Sequence, residues 1–162
     1  MSLHRMLQAR AAEANPLRIG VIGAGKFGSM YLSQIPTTPG IHLLGIADLL
    51  PDRARENLAR LGWKPDVTSA SSFEDARKHG STHLTDDWRA LVSHPEIDII
   101  VESTGDPIAA VEHALEAFRH GKSVVMVTVE ADAFCGPLLA RRAAEAGVIY
   151  SLAYGDQPAL IC

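Results

Sequence analysis

Three glycines at fixed spacing are the residues of this chain that point most directly to chemistry. Gly23, Gly25 and Gly28 follow a short apolar run (17–22) and open a helix-compatible run (27–35). At a strand-to-helix junction, this Gly-x-Gly-x-x-Gly pattern is typical of loops that hold a pyrophosphate. Gly23 would allow the tight turn, Gly25 would let the backbone approach the phosphates, and Gly28 would let the helix pack on the strand. The free N–H groups at the helix start would then face the phosphate charge.

An acidic residue after the next apolar run supplies the partner that such a loop needs. Asp48 lies 20 residues beyond Gly28, the spacing at which a carboxylate accepts hydrogen bonds from ribose hydroxyls. The alternatives are a strand-end cap for Asp48 and a tight turn that binds nothing for the glycines. Taken together, the glycines and Asp48 predict a dinucleotide site.

Asp48 also bears on which dinucleotide binds. A carboxylate repels a 2′-phosphate, which favours NAD over NADP. Leu49 and Leu50 follow it, where a phosphate-binding site often has arginine. Arg53 or Arg55 could still reach such a phosphate, although a solvated helix face is the simpler account of both. The sequence therefore predicts NAD or NADP as the cofactor, with NAD favoured.

The elements that would position these residues alternate between strands and helices. Six mostly continuous apolar runs are predicted as strands, at 17–22, 42–48, 83–85, 97–102, 123–129 and 148–153. Helical patterns separate them, at 27–35, 51–61, 86–92, 107–120 and 133–146, with a further short one that ends at Gly80. Such strands indicate a parallel sheet covered on both faces. Two βαβαβ halves predict an α/β fold, a doubly wound six-stranded Rossmann sheet in the order 3-2-1-4-5-6.

The chain divides into three predicted parts. Residues 1–16 form an N-terminal helical arm, with helical periodicity over 3–14, and residues 17–154 form the dinucleotide-binding domain. The stretch 62–82 is an insertion in the strand–helix alternation and is interpreted as a surface decoration. Residues 155–162 are expected to begin a substrate-binding and oligomerisation region.

Two further groups follow strands that should end beside the glycine loop. Ser103, Thr104 and Gly105 could contact the nicotinamide half of the cofactor, and a plain helix-start turn is the alternative. Glu130 and Asp132 could bind substrate hydroxyls or transfer protons, and capping of the helix predicted from residue 133 is an equal alternative. These two are the candidates for catalysis, and the catalytic residues stay unknown. The predicted cofactor contacts are Gly23, Gly25, Lys26, Phe27, Gly28, Asp48, Arg53, Ser103, Thr104, Gly105 and Glu130.

Composition argues against several other classes of protein. The net charge is −4 without a basic block, so no nucleic-acid partner is expected. An apolar run of about 18 residues is absent, so no membrane partner is expected either. Two cysteines make no disulfide framework, which predicts a cytoplasmic location, and Cys135 is interpreted as a packing residue. The seven scattered histidines predict no metal site.

Several segments resemble those of the homoserine dehydrogenase-like oxidoreductases. More narrowly, they look like the "predicted homoserine dehydrogenase" branch, which often carries a C-terminal SAF domain and includes the deoxyxylulose phosphate reductoisomerase-like enzymes. The resemblance covers nearly the whole chain. The segments that carry it are 23–28, 102–107, 121–126, 129–132 and 147–152, together with Gly155 and Asp156.

The resemblance implies hydride transfer between a nicotinamide cofactor and a small hydroxyl or carbonyl substrate, by an enzyme that is homo-oligomeric at full length. Homoserine dehydrogenases have an Asn-Lys pair after the fifth strand, with the lysine near the nicotinamide, where this chain has Glu130-Ala131-Asp132. Family members are considerably longer, so these residues are expected to bind cofactor but to turn over substrate poorly alone. The alternatives are a deoxyxylulose phosphate reductoisomerase-like enzyme and a non-catalytic NAD(P)-sensing module.

Overall fold

A six-stranded parallel sheet forms the centre of the molecule, in a computed structural model that describes residues 2–153. The spatial order is β3-β2-β1-β4-β5-β6, and all neighbouring strands are parallel. The strands are β1 Leu17–Ile22, β2 Ile41–Ala47, β3 His83–Thr85, β4 Ile99–Glu102, β5 Ser123–Met126 and β6 Tyr150–Leu152. The predicted fold class and strand order are confirmed. Because the chain direction across the sheet reverses at β1 and β4, a crevice opens at the carboxyl ends of these two strands.

Helices cover both faces of the sheet. They are α1 Leu3–Ala12, α2 Lys26–Leu32, α3 Pro51–Arg60, α4 Phe73–His79, α5 Trp88–Ser93, α6 Pro107–Arg119 and α7 Val129–Glu145. Leu32 of α2 and Leu58 of α3 belong to one buried cluster. Residues of α4 to α7 form the other cluster, with Leu91 and Leu139 completely buried. Side chains alternate between the two faces of each strand, so the strands contribute to both clusters.

Local sequence signals fix where the helices begin and end. Asp106 caps α6 by accepting from the N–H groups of Ile108 and Ala109 at 3.0 and 3.1 Å, and Pro107 occupies the first helical position. Ser72 caps α4 by accepting from the Asp75 N–H at 3.1 Å. Both helices thus begin at a side-chain cap. None of the helices in the described range 2–153 is long and apolar enough to cross a bilayer.

The insertion at 62–82 contributes to the core, which corrects its interpretation as a surface decoration. Its helix α4 buries Phe73 and Ala76. The Phe73 ring packs over Gly45 of β2 so closely that a Cβ at position 45 would lie 2.5 Å from it. The insertion is therefore part of the packing on the central sheet.

The boundary between β5 and α7 differs most from the prediction. The strand predicted over 123–129 ends at Met126, and the helix predicted from residue 133 begins at Val129. The Val127 N–H donates to the Glu102 carbonyl at 2.8 Å, and Ala131 already makes a helical hydrogen bond to Thr128. The parallel ladder ends with β4, so Val129, although β-branched, has no strand residue to pair with and lies in the first turn of the helix.

The N-terminal arm packs against the residue directly before β2. Its helix ends at Ala12, two residues earlier than predicted, and the Leu7 carbonyl lies against Gly40, whose φ is +74°. The division into 1–16 and 17–154 stays a prediction. Residues 154–162, with Gly155 and Asp156, lie outside the described residues.

Candidate functional site

The glycine loop joins β1 to α2, and the surrounding protein requires two of its three glycines. Gly23 has a φ of +91°, and a Cβ there would lie 2.8 Å from the Ser103 carbonyl oxygen. A Cβ at Gly28 would lie 2.6 Å from the Gly23 carbonyl oxygen. Gly25 differs, since a Cβ there would meet no atom of the described residues within 4 Å beyond its chain neighbours. The turn and the close packing thus account for Gly23 and Gly28, whereas packing among the described residues does not require a glycine at position 25.

Lys26 and Phe27 open helix α2 directly after Gly25. Their side chains lie outside the described part of the structure. Their contacts with a cofactor therefore stay predictions.

Asp48 follows β2 and links the glycine loop to the start of α3. Its Oδ2 accepts from the Ala24 N–H at 2.8 Å, and its Oδ1 accepts from the Leu50 N–H at 2.9 Å. Each oxygen of a carboxylate can accept more than one hydrogen bond, so Asp48 keeps acceptor capacity for a ligand. The strand-end role and the predicted ribose role are compatible.

Two cavities meet at Asp48. One, of about 350 Å³, extends from the glycine loop to α5 and α6 and has Leu49, Trp88, Thr104 and His113 in its wall. The other, of about 500 Å³, lies between α2 and α3. The residues that line this second cavity are Ala24, Gly25, Ser29, Asp48, Leu50, Arg53, Ala54, Asn57, Arg60 and Leu61.

The two arginines considered for a 2′-phosphate have different surroundings. Arg53 is exposed and lines the cavity that it shares with Asp48. Arg55 donates instead to the backbone carbonyl of Thr68. Of the two, Arg53 is the one placed to meet a ligand beside Asp48.

Ser103 fastens the loop after β4 to the glycine loop. Its hydroxyl donates to the Gly23 carbonyl at 2.7 Å, and its N–H donates to the Ile22 carbonyl at 2.8 Å. Thr104 and Gly105 follow it and are exposed toward the crevice end of the sheet. The structure thus brings the glycine loop, Asp48 and the loop after β4 together through direct hydrogen bonds.

A polar network behind this loop was missed in the sequence. The Glu102 side chain is fully buried and lies within hydrogen-bond distance of Thr104, His113 and Thr128. His113 also packs edge-on against Trp88, with ring centroids 4.5 Å apart. The one available signal was a carboxylate ending an otherwise apolar strand, because its partners are distant in the sequence.

Glu130 and Asp132 lie in the first turn of α7, where negative charges interact favourably with the helix dipole. Glu130 is exposed. Asp132 accepts from the Tyr150 hydroxyl at 2.8 Å, and burial, together with this carboxylate, raises the pKa of Tyr150. Asp132 is thereby held against β6, whereas the Glu130 side chain makes no hydrogen bond to the part of the glycine loop that the structure describes. Cys135 packs against the core as expected.

No group of three or more histidine, cysteine or acidic side chains is placed to hold a metal ion within residues 2–153. His113 in α6 and His120 directly after it face separate glutamates. His113 lies 3.2 Å from Glu102, and His120 lies 3.3 Å from Glu116.

Comparison with known proteins gives a consistent result. The family model "Homoserine dehydrogenase, NAD binding domain" matches residues 23–152. A homoserine dehydrogenase from Pseudomonas aeruginosa is 29% identical over 136 residues, which cover 83% of this chain and 28% of that protein. A glycosyl hydrolase family 109 protein from Porphyromonas gingivalis is 28% identical over 120 residues, which cover 72% of this chain and 23% of that protein.

Solved structures agree on the fold. The crystal structure of a homoserine dehydrogenase from Thiobacillus denitrificans superposes with a TM-score of 0.66 at 23% identity, over 85% of this chain and 29% of that one. This chain spans about a quarter of the length of the curated relatives it matches. The residues matched by the family model include the glycine loop, Asp48 and strands β2 to β6.

Proposed function

This chain belongs to the family of homoserine dehydrogenase NAD-binding domains, and from that premise we propose that it binds the cofactor of an oxidoreductase. The reaction proposed is hydride transfer between a nicotinamide dinucleotide and a small hydroxyl or carbonyl substrate. The dinucleotide supplies the hydride, and the protein supplies binding and orientation.

The observation that carries this proposal is the open space at Gly25 beside Asp48. Gly23 and Gly28 are required by packing, but a Cβ built at Gly25 would meet no atom of the described residues within 4 Å, apart from its chain neighbours. A backbone without a side chain at this point lets a pyrophosphate approach closely. Asp48, held by two backbone N–H groups, then presents its remaining acceptor capacity to the ribose. The residues present therefore fit a dinucleotide.

The cavity of about 350 Å³ is the proposed place for the adenosine half. It begins at the glycine loop and Asp48 and continues between Leu49 and Trp88. The apolar side chains of Leu49 and Trp88 suit contact with a nucleobase, and the polar groups of the same lining suit the attached ribose. The nicotinamide half would then lie on the other side of the glycine loop, near Gly105 and the start of α7.

We propose NAD rather than NADP as the preferred cofactor. Asp48, Asp86 and Asp106 all line the cavity assigned to the adenosine half, and carboxylates repel an added 2′-phosphate. Arg53 and Arg60, in the neighbouring cavity, are the residues that oppose this preference.

The second candidate is a non-catalytic NAD(P)-sensing module. One observation favours it: the place of the family's Asn-Lys pair is taken by Glu130 and Asp132, and Asp132 is engaged by Tyr150. The reductoisomerase-like alternative, assembly into homo-oligomers and a cytoplasmic location stay predictions.

Titration of the purified chain with NADH and NADPH, followed by cofactor fluorescence, tests the proposal. Saturable binding that excess NAD⁺ reverses is the expected result, with tighter binding of NADH than of NADPH. If neither NADH nor NADPH binds saturably, the proposal that this chain is a cofactor-binding domain is wrong. Tighter NADPH binding would contradict only the preference assigned to Asp48. Hydride transfer by a longer protein containing this chain would support the enzyme and exclude the non-catalytic sensing module.

A further inference from the structure

One buried carboxyl group, that of Glu102 at the end of β4, is not explained by the packing of the core. None of its surface is exposed. A buried carboxyl group is unfavourable unless its oxygens accept hydrogen bonds, and an apolar side chain of similar size often stabilises a core position more. Its presence at the crevice end of the central sheet therefore points to a need to fix the positions of the groups around it.

The two oxygens of Glu102 are divided between two neighbouring loops. Oε1 accepts from the Thr104 hydroxyl at 2.6 Å, in the loop after β4. Oε2 accepts from the Thr128 hydroxyl at 2.5 Å, at the residue directly before α7. One carboxyl group thus fixes the separation of the two loops that border the crevice beyond the glycine loop.

Thr128 extends this connection by one further step. While its hydroxyl donates to Glu102, its Oγ1 accepts from the Gly105 N–H at 3.0 Å. A hydroxyl has a single proton, so donation to Glu102 leaves the oxygen lone pairs to accept from Gly105. Gly105 has a φ of +75°. The hydrogen bond from its N–H to Thr128 connects this turn to the start of α7.

We propose that Glu102 is a positioning residue for the nicotinamide half of the dinucleotide. Through Thr128 it holds the Gly105 turn and the start of α7 in the arrangement that this half requires. The inference rests on the proposed function, because it takes the crevice to hold a dinucleotide. Glu102 also bonds Thr104 and His113 in the wall of the adenosine cavity, but Thr128 does not line that cavity. The bonds of Asp48 to Ala24 and Leu50 lie on the adenosine side.

The Thr128 hydroxyl gives the sharpest test, because it can be removed with little change in volume. Thr128→Val deletes the hydroxyl, and Thr128→Ser retains it. Thr82→Val is the matched control, since Thr82 is also buried and its hydroxyl donates to the Leu43 carbonyl at 2.8 Å, away from the crevice. For each variant of the full chain, dissociation constants for NADH and for ADP are measured together with the thermal unfolding midpoint.

Thr128→Val should weaken NADH about tenfold or more, because small displacements of positioned groups have large effects, and leave ADP affinity unchanged. Thr128→Ser should restore NADH binding, and Thr82→Val should leave both affinities unchanged. Equal losses for NADH and ADP in Thr128→Val would overturn the inference, since a general loss of structure affects both halves. If the unaltered chain binds neither ligand, the proposed function itself fails.

A double-mutant cycle then ties the effect to Glu102. If the two residues act through one hydrogen bond, adding Thr128→Val to Glu102→Leu should cause little further loss of NADH affinity. Additive losses would overturn the assignment to Glu102. If Glu102→Leu does not fold, the isosteric Glu102→Gln replaces it in the cycle, and additive losses there overturn the assignment equally.

Discussion

The Asp48 carboxylate and the Ala24 N–H, 2.8 Å apart, connect the end of β2 to the middle of the glycine loop. The residue expected to bind the ribose thus also holds the loop expected to bind the phosphates. A change at position 48 should therefore alter the shape of the phosphate site as well as its charge.

Asp48→Asn should lower both affinity and stability. An amide can accept only through its oxygen, so one of the two backbone N–H groups that Asp48 binds would face an NH₂ group. We expect a loss of about 1–3 kcal/mol in the free energy of unfolding, measured by urea denaturation. NADH affinity should fall, and the ratio of NADPH to NADH affinity should rise because the repulsion of the 2′-phosphate is removed.

Asp86→Asn is the matched control for this experiment. Asp86 lines the same cavity and is exposed, so its substitution should change the free energy of unfolding by no more than about 0.5 kcal/mol. An Asp48→Asn variant as stable as Asp86→Asn would show that pairing both N–H groups with one carboxylate contributes nothing to stability.

The glycines at 25 and 28 should separate binding from stability. Gly28→Ala places a methyl group 2.6 Å from the Gly23 carbonyl oxygen, which should cost about 1–3 kcal/mol of stability. Gly25→Ala places its methyl group more than 4 Å from every described atom outside its chain neighbours. It should leave the stability within about 1 kcal/mol while greatly weakening NADH binding. Thermal unfolding and NADH titration of both variants check this. Unimpaired NADH binding by Gly25→Ala would place the pyrophosphate elsewhere.

The hydrogen bond between Tyr150 and Asp132 should matter for stability, in contrast to the exposed Glu130. Tyr150→Phe removes a 2.8 Å bond to Asp132 and should lower the free energy of unfolding by about 0.5–1.5 kcal/mol. Glu130→Gln should change it by less than about 0.5 kcal/mol. Urea denaturation of both variants measures these losses. Equal losses of unfolding free energy in the two variants would contradict the prediction.

Alkaline pH should destabilise the protein through Tyr31. Burial raises the pKa of the Tyr31 hydroxyl to about 12, above its value in the unfolded chain. The folded state therefore holds this proton more tightly, and the associated stability, complete below about pH 10, is lost as the pH rises toward 12. Tyr31→Phe should show a shallower fall in the unfolding midpoint between pH 10 and 12. Parallel curves for the variant and the unaltered chain would contradict it.

The sequence predicted the strand order and the positions of the glycine loop and Asp48, because each depends on residues close together in the chain. It misplaced the start of α7 because the apolar residues that follow Met126 suit a strand, while the end of that strand is set by its neighbour β4. It missed the role of Glu102 for the same reason. Residues 102, 113 and 128 meet only once the sheet has formed, and no local pattern connects them.

The contact between Phe73 and Gly45 restricts which amino acids can occur together during evolution. A Cβ at position 45 would lie 2.5 Å from the aromatic ring, so a larger residue there requires a smaller one at position 73 or the loss of helix α4. Homologous sequences should therefore show covariation between these two positions. Homologues that lack the insertion are accordingly expected to have a larger residue than glycine at this position of the second strand.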